Sequence, residues 1–133
     1  MNIINKTLLA TAMVSLAPLA SATLIIDDFS TDQSVIAIGS GTSDANSMSG
    51  GGILGGERDL FVENISSGLA SAVVANDQLE FNGGAGVGRL TIQWDGIDGS
   101  SAINADGLDA NLAGSGNAFI VNVVSNDLSL IHI

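Results

Sequence analysis

Residues 78–95 read QLEFNGGAGVGRLTIQWD, two alternating runs on either side of a glycine-rich link. In the first run Leu79 and Phe81 point one way and Glu80 the other; in the second Leu90, Ile92 and Trp94 alternate with Arg89, Thr91 and Gln93. A period of two is the mark of half-buried strands. The link from Asn82 to Gly88 carries four glycines, which reach positive φ at no steric cost, so the two runs are expected to fold back on each other as a central antiparallel hairpin. The phase of Trp94 with Leu90 and Ile92 places its indole toward the core.

Working outward, Thr23–Phe29 (TLIIDDF), Ser34–Ile38 (SVIAI), a run through Leu60, Phe61 and Val62, Leu69–Ala75 (LASAVVA), Ala118–Val124 (AFIVNVV) and the apolar end Leu128–Ile133 (LSLIHI) read as further strands. Glycine, serine, asparagine and aspartate separate them. Residues 39–52 are so polar and glycine-rich that they read as a long surface loop. Leu108–Leu112 has room for a short helical turn, but no helix of ten or more residues is indicated. Short strands about ten residues apart with turn signals between them predict an all-β fold, an antiparallel β-sandwich of jelly-roll type. A β-helix is the alternative, although no repeat of about 20–30 residues supports it.

The first 22 residues have the layout of a secretory signal peptide: Lys6 in a short leading region, an apolar stretch from about Leu8 to Ala20, and a small-x-small cleavage site at Ala20-Ser21-Ala22. That stretch is shorter than the ~20 residues a membrane-spanning helix needs. Residues 23–133 are then expected to form a single exported domain, large enough for one core and too small for two. Removing residues 1–22 leaves two arginines against all 14 Asp and Glu, a formal charge of −12. Such acidity repels phosphate backbones and anionic membrane surfaces, which excludes nucleic acid as an expected partner, and it attracts cations. The chain has no cysteine, so neither disulfides nor thiolate chemistry are available.

Two groupings of charge stand out. Glu57-Arg58-Asp59 sets one guanidinium between two carboxylates, and an ion pair within this trio is expected, with a ligand-binding role for the same three residues as the other reading. Asp95, Asp98, Asn104, Asp106 and Asp109 fall within 15 positions of a glycine-rich stretch, an oxygen-ligand set that suits calcium, with ordinary turn chemistry as the other reading. No EF-hand spacing is present, and GGAGVG at 83–88 lacks the aspartate of the GGxGxD repeat and fails the dinucleotide and P-loop spacings. Catalytic machinery is not evident: the one histidine, His132, is next to last, and no cysteine nucleophile exists. Paired carboxylates for glycoside hydrolysis remain the enzymatic alternative.

IIDDFSTDQ (25–33), GGILGGERDLFVEN (51–64) and QLEFNGGAGVGRLTIQWDG (78–96), behind a signal peptide, resemble bacterial exported proteins that carry a PEP-CTERM sorting signal. The likeness covers residues 22–124. It implies an extracellular β-sandwich in a family associated with surface exopolysaccharide, and no family site residues are carried over with it. The sequence departs from that pattern at its C-terminal side, where Pro-Glu-Pro, a transmembrane helix and a basic cluster are missing, so the sandwich is expected to be truncated or frame-shifted near Ser125. The expected function is that of a secreted or cell-surface structural or binding module, associated with polysaccharide and without catalysis; the alternative is a carbohydrate-active enzyme.

Overall fold

The computed structural model describes residues 23–103, 107, 108, 110, 112, 118 and 120–124. Met1–Ala22, Leu128–Ile133, His132, Asn104, Asp106 and Asp109 lie outside the described residues, as does part of Leu108–Leu112. Among the described residues six strands form two antiparallel sheets of three: β1 (Gln33–Ile38), β4 (Leu69–Ala75) and β5 (Gln78–Asn82) in the order β1-β4-β5, and β2 (Thr42–Ser49), β3 (Glu57–Asn64) and β6 (Gly88–Gln93) in the order β2-β3-β6. The sheets face each other as a β-sandwich. All pairings are antiparallel, which is incompatible with the parallel stacking of a β-helix. Among the described residues no helix is long and apolar enough to cross a membrane.

Alternation decides what lies between the sheets. Val35 and Ala37 of β1, Leu60 and Val62 of β3, and Ala70, Ala72 and Val74 of β4 form the buried core, with Phe29, Leu79, Phe81, Leu90 and Ile92 packed at its edges. Three of the seven core residues are alanines, so the two layers meet over small side chains, with the rings at the margin. Trp94 also turns inward, half-buried, and its indole N–H donates to Asp27 Oδ2 at 2.9 Å.

Strands 78–82 and 88–93 form where the alternation places them, but not as a hairpin. β5 pairs with β4 through an Asn76-Asp77 turn whose two residues both have positive φ, at 53° and 58°, the conformation of a type I′ turn. β6 crosses to the other sheet and pairs with β3. The glycine link is therefore a bridge between layers, and it lies at one end of the sandwich with the other two crossings, 39–41 and 65–68. Hydrogen bonds join the three: Gly39 N donates to Gly68 O at 2.9 Å, Gly41 N to Asn64 O at 2.8 Å and Ile65 N to Val87 O at 2.9 Å. Gly84 sits in this knot at φ 70°, with the Leu69 carbonyl oxygen where a Cβ would stand, so only glycine fits there.

Three other expectations are corrected. The polar stretch 39–52 is largely strand: Thr42–Ser49 pairs with all eight residues of β3. An edge strand gains its order from backbone pairing with its neighbour, and its polarity guards an exposed edge. Thr23–Phe29 is no strand, contributing only a bridge from Asp27 to Ile53. Residues 118 and 120–124 carry no strand and are exposed; with no sheet covering them, their apolar character does not report burial on both faces.

Arg58 supplies the largest fully buried side chain. Its NH1 donates to Asp27 Oδ1 and Oδ2 at 3.0 and 2.9 Å, NH2 to the Thr31 carbonyl at 2.7 Å and Nε to Gln33 Oε1 at 2.7 Å. The guanidinium lies 5.5 Å from the centre of the Phe29 ring, and Phe29 itself is held at φ 55°, a backbone conformation that bulky residues rarely adopt. The expected ion pair with Glu57 or Asp59 is thus corrected to one with Asp27, because side chains at 57 and 59 leave the strand on the opposite face from 58. Arg58→Ala, which strands the Asp27 carboxylate at 2 % exposure, is expected to cost about 3–5 kcal/mol in urea denaturation. Arg89→Ala, which breaks an Arg89–Glu63 pair exposed at 63 % and 32 %, is expected to cost under about 1 kcal/mol in the same assay.

Candidate functional site

Register writes the outer face of the β2-β3-β6 sheet as four cross-strand rows. Ser49 faces Glu57; Ser47, Asp59 and Gln93 make the second row; Ala45, Phe61 and Thr91 the third; Ser43, Glu63 and Arg89 the fourth. Directly opposed side chains on an antiparallel pair stand close enough to interact, and they do. Ser49 Oγ donates to Glu57 Oε2 at 2.8 Å, and Arg89 NH1 donates to Glu63 Oε2 at 3.0 Å. Continuing the alternation past β6, Asp95 follows Gln93 onto this face, and Gln93 Nε2 donates to Asp95 Oδ2 at 2.9 Å.

Segment 95–103 lies over this face and covers two features at once. At one end the backbone N–H groups of Asp98 and Gly99 donate to Glu57 Oε1 at 3.4 and 3.1 Å. Beneath them Glu57, Asp59 and Asp95 each bring a carboxylate oxygen within 4.8 Å of the others. At the other end Ser100, Ser101, Ala102 and Ile103 wall an open groove of about 640 Å³ whose floor is the third row, Ala45, Phe61 and Thr91.

Asp59 is the anomaly of the cluster. It is fully buried, and neither carboxylate oxygen accepts a hydrogen bond from an N–H or O–H group of the described residues. Burial first, and then the negative charges of Asp95, Glu57 and Asp98, push its carboxyl up to about 7. Glu57, by contrast, has donors, from Ser49 Oγ and from the backbone N–H groups of Asp98 and Gly99.

Of the five residues expected to bind calcium from the sequence, the structure places Asp95 and Asp98. Asp95 joins Glu57 and Asp59; the Asp98 carboxylate turns back to accept from Ser100 N at 2.7 Å. Asn104, Asp106 and Asp109 lie outside the described residues. Sequence reasoning missed Glu57 and Asp59 as companions of Asp95 because Arg58 between them suggested local pairing; strand parity was the signal that separates them from it. No protein-family model matches this chain, and neither does any curated protein or solved structure.

The raised Asp59 carboxyl makes stability fall with pH in metal-free solution. Its ordinary value is 3.8 and its folded value about 7. Below the lower value both folded and unfolded chains hold the proton and nothing is lost; between the two the unfolded chain releases it while the folded chain retains it, so stability drops as pH rises and levels above the upper value. Asp59→Asn, isosteric and able to donate to Asp95, is expected to remove this slope. Urea titrations in chelator at about pH 4, 5.5 and 8 check it: the difference between wild type and variant should grow in favour of the variant across that span.

Proposed function

We propose that this chain is an exported, non-catalytic binding module that holds an extended polysaccharide on the outer face of the β2-β3-β6 sheet. The observation that carries the reading is the groove of about 640 Å³, floored by the half-buried Phe61 ring and edged by the hydroxyl-bearing Thr91, Ser100 and Ser101. A sugar ring presents an apolar face to an aromatic floor and hydroxyls at its rim, which such an arrangement complements. The groove's open form suits a chain that continues past both ends. Export is supported by the signal-peptide layout of residues 1–22 and by the resemblance to PEP-CTERM-signal proteins, which also points toward exopolysaccharide.

Hydrolysis by paired carboxylates fits less well. A retaining glycosidase keeps its two carboxyl groups about 5–5.5 Å apart on either side of the scissile bond, a spacing the acidic cluster approaches, but Glu57 and Asp59 are 2 % and 0 % exposed. A general acid must come within hydrogen-bond reach of the glycosidic oxygen, and these groups are covered. With a net charge of −12 on residues 23–133, a neutral polysaccharide is favoured over a strongly anionic one.

Affinity electrophoresis through gels containing neutral or acidic exopolysaccharide tests the reading. The wild-type chain is expected to be retarded by a neutral polymer, Phe61→Ala to lose most of that retardation, and Glu80→Gln, exposed on β5 of the other sheet, to keep it. Retardation unchanged in Phe61→Ala, with Glu80→Gln on β5 of the other sheet as the control, would move the binding face elsewhere. Saturable release of reducing sugar by purified wild type would replace binding with catalysis.

A further inference from the structure

We propose that Glu57, Asp59 and Asp95 form a divalent-cation site, calcium being the ion whose coordination they suit, which fastens segment 95–103 to the β2-β3-β6 sheet. Each residue contributes a carboxylate oxygen, and these oxygens lie within 4.8 Å of one another. Calcium binds oxygens at about 2.3–2.6 Å, so ligands on opposite sides of one ion stand up to ~5 Å apart. One ion can therefore touch all three without a change of backbone. Second carboxylate oxygens and water complete a shell of six to eight, whereas magnesium requires a tighter octahedron.

Acidic groups alone would not establish a site; Asp59 supplies the independent observation. It is 0 % exposed, its oxygens reach the cluster, and no donor among the described residues meets either of them. A buried carboxylate left without a donor costs several kcal/mol, and a cation is the partner that would satisfy both its oxygens. The charge distribution agrees. Residues 23–133 contain two arginines, and each is engaged elsewhere: Arg58 with Asp27 inside the sandwich, Arg89 with Glu63 two rows away from Asp59. Neither neutralises the cluster.

Glu57 is also held ready for the role. Ser49 Oγ fixes one oxygen and the N–H groups of Asp98 and Gly99 approach the other, so its orientation is set by three donors from two segments. Asp95 is placed by strand phase and by Gln93. A cation here joins the strand that carries Asp59 to the segment that begins at Asp95, and the site stands whether or not the groove beside it takes a sugar.

Thermal melting with calorimetric titration decides the matter. Wild-type protein is stripped with chelator, held at about pH 8, and given calcium chloride up to about 10 mM at constant ionic strength, beyond the ~10⁻⁴–10⁻³ M range of extracellular calcium modules. The melting temperature is expected to climb by roughly 10 °C at a hundredfold excess over Kd, with one ion per chain by calorimetry and a smaller rise for magnesium. Asp59→Asn should melt no lower than stripped wild type yet lose the calcium shift, and Asp95→Asn should lose it too; Asp44→Asn, on an exposed part of β2, should keep it. No shift in wild type, or an equal shift in Asp59→Asn and Asp95→Asn, overturns the proposal. Loss of polysaccharide binding alone leaves it intact, because melting reads the ion directly.

Discussion

The ion pair between Arg58 and Asp27 is the constraint on which the rest of the sandwich depends. It lies where a β-sandwich would normally place an apolar residue, and a buried guanidinium is tolerated only when every donor is met. That requirement draws three parts of the chain to Arg58 on β3. Asp27 and Thr31 come from the segment before β1, Gln33 from the start of β1, and Trp94 from the end of β6 through its bond to the same Asp27 carboxylate. Gln33 passes the connection on to β2, donating to the Asn46 carbonyl at 2.8 Å. The end of the sandwich that has no glycine crossings is thus closed by one cation and its acceptors.

The same residue dictates what happens on the other side of its strand. Because successive side chains on a strand leave opposite faces, committing Arg58 inward commits Glu57 and Asp59 outward. They cannot share its charge, although they are its neighbours in sequence. Asp59 would face solvent there if segment 95–103 did not cover it, and the covering segment brings Asp95 with it. Burial of a carboxylate beside two others is therefore a consequence of strand parity plus one overlying loop.

Parity also explains how much of the molecule was legible in the sequence. Alternation in residues 78–95 correctly identified Leu79, Phe81, Leu90 and Ile92 as packing against the core, and Leu69–Ala75 has the bounds of β4. What alternation does not contain is the partner. A side chain that must point inward does so equally well from either sheet, so a hairpin and a crossing between layers present the same pattern, and β5 and β6 were separable only by long-range pairing. β2 was hidden for a different reason: an edge strand of serine, asparagine and aspartate carries no apolar period, and its register with β3 comes from backbone hydrogen bonds that no side chain announces. At the acidic cluster, Asp95 was visible within its glycine-rich stretch, while Glu57 and Asp59 reach it through the β3–β6 register that sets Asp59 opposite Gln93.

Segment 95–103 carries the remaining step of the synthesis. Its first residues close over the carboxylates and its last residues wall the groove on Phe61, so anything that orders one end orders the wall of the other. Thermodynamic linkage makes such an effect reciprocal: a cation that reduces the conformational freedom of the segment lowers the entropic cost of filling the groove, and a ligand in the groove tightens the cation by the same factor. For a protein carrying a charge of −12 over residues 23–133, the arrangement has a further electrostatic consequence. A divalent ion among Glu57, Asp59 and Asp95 would remove two of the negative charges nearest the groove, and it would do so at the point where an acidic surface most strongly opposes an anionic polymer. The polarity of ligand that this face accepts would then depend on whether the carboxylates beneath its wall hold protons or an ion.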